Sequence, residues 1–102
     1  MAVQLPARLT LAEAAQTLAS LQEAIARAPQ GAAVELDAAA LADFDTSAIA
    51  VLLEARRAAL GRGLAFRLLS PPPKLGQLAE LYGVHELLGL AYAAGAAPVP
   101  KP

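Results

Sequence analysis

The fold of this chain is decided by the stretch AVELD (33–37), a short connector, and the run DTSAIAVLLE (45–54). The first segment is brief and β-type, which predicts a strand. Aspartate, threonine and serine are the residues that satisfy the free amides of a first helical turn, so the triplet 45–47 predicts a helix start. Apolar residues then recur at helical spacing to about Leu60, and Gly61 follows. This stretch therefore predicts a strand followed by a helix.

Segments before this unit extend the alternation of strand and helix. Residues 3–10 alternate loosely with a period of two, which predicts a strand, and Pro6 suggests an edge position or a bulge within it. Thr10 and Glu13 form a capping-box pattern ahead of a helix that continues to Ala28. Pro29 ends that helix.

Segments after the unit repeat the pattern. Residues 64–69 are nearly continuous in apolar character, as in a parallel strand buried on both faces. The prolines at 71–73 form a stiff connector, and the last can begin a helix that ends at Gly83. Residues 84–94 are read as a further helical or strand-like run, and 95–102 as a frayed, Pro-rich tail.

This order predicts an α/β fold with a mostly parallel sheet. At 102 residues the chain suits one domain, which we place at residues 1–94, with a flexible tail at 95–102. The connector 38–44 is either a helical turn or a loop whose Leu41 and Phe44 point inward.

Composition narrows the possible functions. The net charge is −1 and no basic run occurs, which argues against a nucleic-acid surface. There is no cysteine, so disulfides and thiol chemistry are excluded. No segment approaches a membrane span, and the first ten residues lack the form of a signal peptide. We expect a cytoplasmic protein that reaches a membrane only through a partner.

The candidates for catalysis are weak. His85 has no second histidine or cysteine with which to bind a metal, and it is more simply a cap or surface residue. Asp43 and Asp45 are more simply turn and cap residues than a carboxylate pair. The chain has no phosphate-binding loop motif. We expect no enzyme activity, no cofactor and no metal. Four arginines are expected to form a solvated helix end rather than a ligand site; they are Arg56, Arg57, Arg62 and Arg67.

The triplet Asp45-Thr46-Ser47 admits two interpretations. It is a helix N-cap and nothing more, or it is also a contact site, because the amide end of a helix can receive an anion or the acceptor of a partner. Small residues on the outer face of the same helix would let another protein approach closely. That outer face is predicted to carry Ala50, Val51 and Ala58.

The same residues resemble a known family. The pattern of a strand, a loop, DTSAIAVLLE (45–54), Gly-Arg-Gly (61–63), a strand and LGQLAELYGV (75–84) is similar to the STAS domain. The likeness covers roughly residues 5–88. It is strongest to the MlaB-type subunits of Mla phospholipid-transport ABC complexes, through the Asp-Thr pair and the Leu-Ala-x-Leu-Tyr segment at 78–82.

The resemblance implies a STAS-like single domain with a sheet of about four strands, helices packed on it, and no catalysis. It implies a subunit that supports the cytoplasmic ATPase of a phospholipid transporter maintaining lipid asymmetry in the outer membrane, and that is therefore peripheral to the inner membrane. The threonine at the ATPase contact falls on Thr46. The expected partner-binding residues are Asp45, Thr46, Ser47, Ala50, Val51 and Glu54.

The resemblance also implies an alternative. In anti-sigma-factor antagonists of this fold, the phosphorylated serine falls on Ser47, so the chain could be a protein-binding switch controlled by a kinase. The sequence departs from the family pattern at Ala48, where a glycine is usual. Ser47 itself keeps a hydroxyl that the transporter subunits do not need.

Overall fold

The computed structural model describes residues 2–84. Within them lie the helices α1 (Leu11–Arg27), α2 (Thr46–Gly61) and α3 (Pro73–Leu81). The strands are β1 (Ala2–Gln4), β2 (Arg8–Leu9), β3 (Ala33–Asp37), β4 (Asp43–Phe44) and β5 (Ala65–Leu69). The predictions for His85, for the rest of the run to residue 94 and for the tail 95–102 lie outside the described residues.

The described strands form two parallel sheets. The larger has the order β1-β3-β5, and the smaller pairs β2 with β4. Parallel neighbours need crossovers, and α1 and α2 supply those between β1, β3 and β5. The predicted α/β fold with a mostly parallel sheet is confirmed. Three strands lie in one sheet and two in the other. The family resemblance implies a single sheet of about four strands instead.

The predicted first strand, residues 3–10, is interrupted at Pro6. The Leu5 amide still donates to the Asp37 carbonyl, at 2.9 Å, which ends the pairing of this segment with β3. Beyond the proline, the Ala7 carbonyl accepts from the Ala42 and Asp43 amides, at 2.8 and 3.0 Å. A proline cannot donate to a ladder, so the chain leaves the main sheet here and pairs with the connector instead.

The connector 38–44 combines a turn with a short strand. The Leu41 amide donates to the Ala38 carbonyl at 3.0 Å, and the Asp37 carboxylate accepts from the Ala39 amide at 2.9 Å. Strand β4 follows directly. Leu41 is buried and Phe44 half-buried, so both side chains are anchored inward as expected, but neither alternative included a strand.

Helix α1 begins as predicted. The Thr10 amide donates to Glu13 Oε1 at 2.8 Å, which is the reciprocal half of a capping box. The Thr10 hydroxyl donates to the same oxygen, at 2.6 Å. The helix ends at Arg27, with Ala28 as the cap before Pro29.

The C-terminal ends of α1 and α2 are joined by Arg62, the residue after α2. Its guanidinium donates to the carbonyls of Ile25 and Ala28, the latter at 2.9 Å. Both carbonyls lie at the C-terminal end of α1, where the partial negative charge of the helix favours a cation. The Ile25 carbonyl also accepts from the Ala28 amide, at 3.1 Å. The expected solvated arginine cluster is therefore wrong for Arg62, which is half-buried. Arg67 likewise lies apart on β5, where it pairs with Glu35 at 3.3 Å.

The core lies between the helices and one face of the larger sheet. Alternate strand residues are buried, Val34 and Leu36 on β3 and Leu68 on β5, and they pack with Ile25 of α1 and Leu52 of α2. The prediction that residues 64–69 are buried on both faces is wrong. Ala65 and Arg67 are exposed, because the described helices cover only one side of this sheet.

Helix α2 is turned differently from the prediction. Val51, expected on the outer face, is only 3% exposed, whereas Leu60, expected in the core, is 47% exposed. Ala58 is half-buried. Helix α2 contacts α1 on one side and β5 on another, so its buried surface is wider than one stripe. No helix between residues 2 and 84 has the length and apolar character that crossing a bilayer requires.

Candidate functional site

Asp45 lies where the N-terminal ends of α1 and α2 meet. It is the N-cap of α2, and its Oδ1 accepts from the Ser47 amide at 2.8 Å. Its Oδ2 accepts from the amide of Leu11, the first residue of α1, at 3.2 Å. One carboxylate thus satisfies a free amide on each helix. Together with Arg62 at the other ends, it holds the two helices side by side in the same direction.

These contacts keep Asp45 ionised. The hydrogen bond from the Ser47 amide is the largest cause that lowers the pKa of Asp45 below its ordinary 3.8. Desolvation opposes the shift, and hydrogen bonds from the Leu11 amide and the Ser47 side chain add to it. The predicted N-cap role is therefore present. Both carboxylate oxygens are used inside the domain, so Asp45 positions its neighbours.

Thr46 is presented to solvent by this arrangement. It is the first residue of α2, it is exposed, and its hydroxyl forms no hydrogen bond with another of residues 2–84. Ser47 is half-buried, and its hydroxyl adjoins the Asp45 carboxylate, whose pKa it helps to lower. Of the two hydroxyls in the triplet, that of Thr46 is the one available to a partner.

Thr46 also borders a groove between the start of α2 and helix α3. The groove has a volume of about 430 Å³. Its lining residues come from β4, the N-terminus of α2 and one side of α3, and they are Phe44, Asp45, Thr46, Lys74, Gln77, Leu78 and Leu81. Lys74 Nζ lies 6.0 Å from the centroid of the Phe44 ring, a cation–π contact across the groove.

Apolar side chains are unusually exposed beside this groove. Leu81, which lines it, is 77% exposed, and the adjacent Tyr82 is 56% exposed. Leu11, whose amide binds Asp45, is 77% exposed. Exposed apolar residues grouped around one feature mark a surface that another molecule can cover.

The remaining predicted site residues divide into two groups. Ala50 and Glu54 are exposed and follow Thr46 at steps of four residues, so they continue its stripe along the outer surface of α2. Val51 is buried and cannot take part in a surface contact as the protein stands, so its assignment to the outer face is wrong. The groove itself is lined by Asp45 and Thr46 but not by the other four predicted residues.

Sequence reasoning did not assign Phe44, Lys74, Gln77, Leu78 or Leu81 to the site. The segment at 78–82 carries part of the family likeness, but nothing local in the sequence connects it with Thr46. Only the packing of α3 beside α2 brings them together. Within residues 2–84 there is no group of three or more His, Cys, Asp or Glu side chains that could hold a metal ion. The groove offers apolar contact, a hydroxyl, an amide and one ammonium, which suits binding.

Comparison with known proteins places this site in context. A family model described as Mlab, STAS domain, matches residues 1–89. The match includes β1 to α3, and so all the residues that line the groove. No curated protein matches the chain.

Proposed function

Because the chain belongs to the STAS domain family, of the MlaB type, we propose that it is a non-catalytic subunit of a phospholipid-transport ABC complex. In this role it binds the cytoplasmic ATPase of an Mla-type transporter and supports its activity, and thereby the lipid asymmetry of the outer membrane. It lies in the cytoplasm, peripheral to the inner membrane through its complex.

The observation that carries this proposal is the position of Thr46. The side chain is exposed, its hydroxyl is unpaired among the described residues, and it lies between the groove and the stripe that Ala50 and Glu54 continue. Asp45 fixes this position through its hydrogen bonds to both helices. The small side chains of Ser47 and Ala50 leave room for another protein to approach this helix tip closely.

The chemistry of the groove supports a binding role. Thr46, Lys74 and Gln77 are its polar lining residues besides Asp45, and they do not form a nucleophile with an adjacent base. The carboxylate of Asp45 accepts two backbone hydrogen bonds, which leaves it a poor general base. These residues are suited to hold a partner in place.

A protein-binding switch controlled by phosphorylation of Ser47 is the second candidate function. A phosphate on Ser47 would add about −1.5 to −2 charges. The Ser47 amide donates to the Asp45 carboxylate, so that phosphate would adjoin a negative group. The partial positive charge at the N-terminus of α2 would offset part of this repulsion, so the phosphate would chiefly change the surface that a partner meets.

The proposal is tested by Thr46→Arg, with Ser20→Arg as the matched control. Ser20 is also exposed, but it lies on α1. The variants are each co-expressed with the Mla-type ATPase of the same cell, and one subunit is tagged for purification. We expect Thr46→Arg to abolish co-purification while its circular dichroism and melting temperature stay near those of the wild type.

The control should co-purify at wild-type yield, because Ser20 is outside the proposed contact. Undiminished recovery of the ATPase with Thr46→Arg would show that this helix tip is not the contact.

A further inference from the structure

Lys74 in the groove has no acidic partner among residues 2–84. The other basic residues described, apart from Arg56, contact carboxylates or carbonyls. Asp45 is the single carboxylate among the groove-lining residues, and its two oxygens accept from the Ser47 and Leu11 amides. Lys74 therefore forms no ion pair within the groove, and the Asp45 carboxylate is engaged by two backbone amides.

The position of Lys74 is not explained by the stability of its helix. It lies in the first turn of α3, where the partial positive charge of the helix N-terminus opposes a cation. Its contact with the Phe44 ring holds the ammonium over the groove, at 6.0 Å. The side chain is exposed, so a partner can reach its ammonium beside the Phe44 ring.

The surroundings of Lys74 define the kind of molecule that fits. The groove is lined on both sides by apolar side chains, with Phe44 facing Leu78 and Leu81 of α3. The strongly exposed Leu81 extends this apolar lining to the surface. A complementary occupant is apolar along its length and carries a negative group opposite Lys74.

We propose that the groove between β4, the start of α2 and α3 receives an apolar segment of the ATPase subunit that carries an acidic side chain, and that Lys74 selects it by pairing with that carboxylate. This inference rests on the proposed function, because it names the ATPase as the partner. It extends the contact from Thr46 across the groove to α3. Lys74 supplies charge specificity, and the leucines supply apolar area.

The test is charge reversal at Lys74 with a matched reversal elsewhere. Lys74→Glu and Arg27→Glu change the net charge equally, but Arg27 lies at the far end of α1 from Asp45 and its side chain is 78% exposed. Lys74→Gln removes the charge without reversing it. Each variant is first checked by circular dichroism and thermal melting, and then its Kd for the purified ATPase subunit is measured at low and high salt.

We expect Lys74→Gln to raise the Kd by about 3–10-fold and Lys74→Glu by about 10–100-fold at low salt, with smaller differences at high salt. Arg27→Glu should remain within about twofold of the wild type. Equal affinities for Lys74→Glu and Arg27→Glu, while Thr46→Arg abolishes binding, would overturn the role of Lys74 and leave the proposed function standing.

Other outcomes separate the two proposals further. If the wild-type protein does not bind the ATPase, both fail. If size-exclusion chromatography shows that the wild type dimerises alone and that Lys74→Glu abolishes the dimer, the groove is occupied by a second copy and this inference is overturned.

Discussion

Arg62 links the C-terminal ends of α1 and α2, so replacing it should lower the free energy of unfolding by a measurable amount. Arg62→Ala removes two hydrogen bonds from a charged donor to the carbonyls of Ile25 and Ala28. A hydrogen bond to a charged group contributes about 1.5–3 kcal/mol, and a half-buried site retains part of that. We expect a loss of about 2 kcal/mol in the free energy of unfolding, or a decrease of roughly 8–16 °C in melting temperature.

The assay is urea unfolding followed by far-UV circular dichroism, with two comparison variants. Arg62→Lys keeps the charge but not the planar fork, so it should lose an intermediate amount. Arg57→Ala is the matched control, because that side chain is 82% exposed and its ion pair with Glu54 is long, at 3.8 Å. It should change stability by less than about 0.5 kcal/mol. If Arg62→Ala loses no more free energy of unfolding than Arg57→Ala, Arg62 does not link the two helices.

Two further predictions concern the core and the helix caps. Leu52→Ala should cost about 2–5 kcal/mol in a urea titration, because the side chain is fully buried in α2; a cost below about 1 kcal/mol would contradict this packing. Hydrogen bonds from the Thr10 hydroxyl and amide lower the pKa of Glu13 below its ordinary 4.5, and the pKa of Asp45 is also lowered. Groups with lowered folded-state pKa values stabilise the fold above their unfolded pKa and lose that contribution as the pH falls through the folded value. The urea midpoint should therefore hold from pH 7 to about 5 and decrease below about pH 4.5, less steeply in the Glu13→Gln/Asp45→Asn double variant; a midpoint that rises on acidification would contradict the assignment.

The helices and the main strands could be predicted from sequence because their signals are local. Thr10 with Glu13, the polar triplet at 45–47 and Pro73 each mark a helix start within a few residues. The pairing of β2 with β4 could not be predicted in the same way. Two residues are too short to show a period, and their partners lie 35 positions apart in the sequence, as Arg8 and Asp43 do.

The orientation of α2 was predicted only in part. Residues 48–53 are all apolar, so periodicity cannot decide which of them face inward. Contact with α1 as well as the sheet buries Val51, and the position of Leu60 in the last turn exposes it. These outcomes depend on the number of neighbours that pack against the helix.

The candidate site, too, could be predicted from the sequence only in part. Asp45 and Thr46 carry a local signal, because a cap residue beside a hydroxyl is recognisable in the sequence. Lys74 and Leu81 belong to the groove through the packing of α3 against the rest of the domain, about thirty residues later in the chain. Their contribution could be seen only once the elements were placed together.

We propose that this STAS domain serves an ABC transporter through a protein contact at Thr46. The most direct test is a pull-down of the tagged wild-type chain from its native cells, with bound proteins and modifications identified by mass spectrometry. We expect the pull-down to recover an ABC ATPase together with its membrane permease. Recovery of a soluble kinase instead, with a phosphate on Ser47, would contradict it.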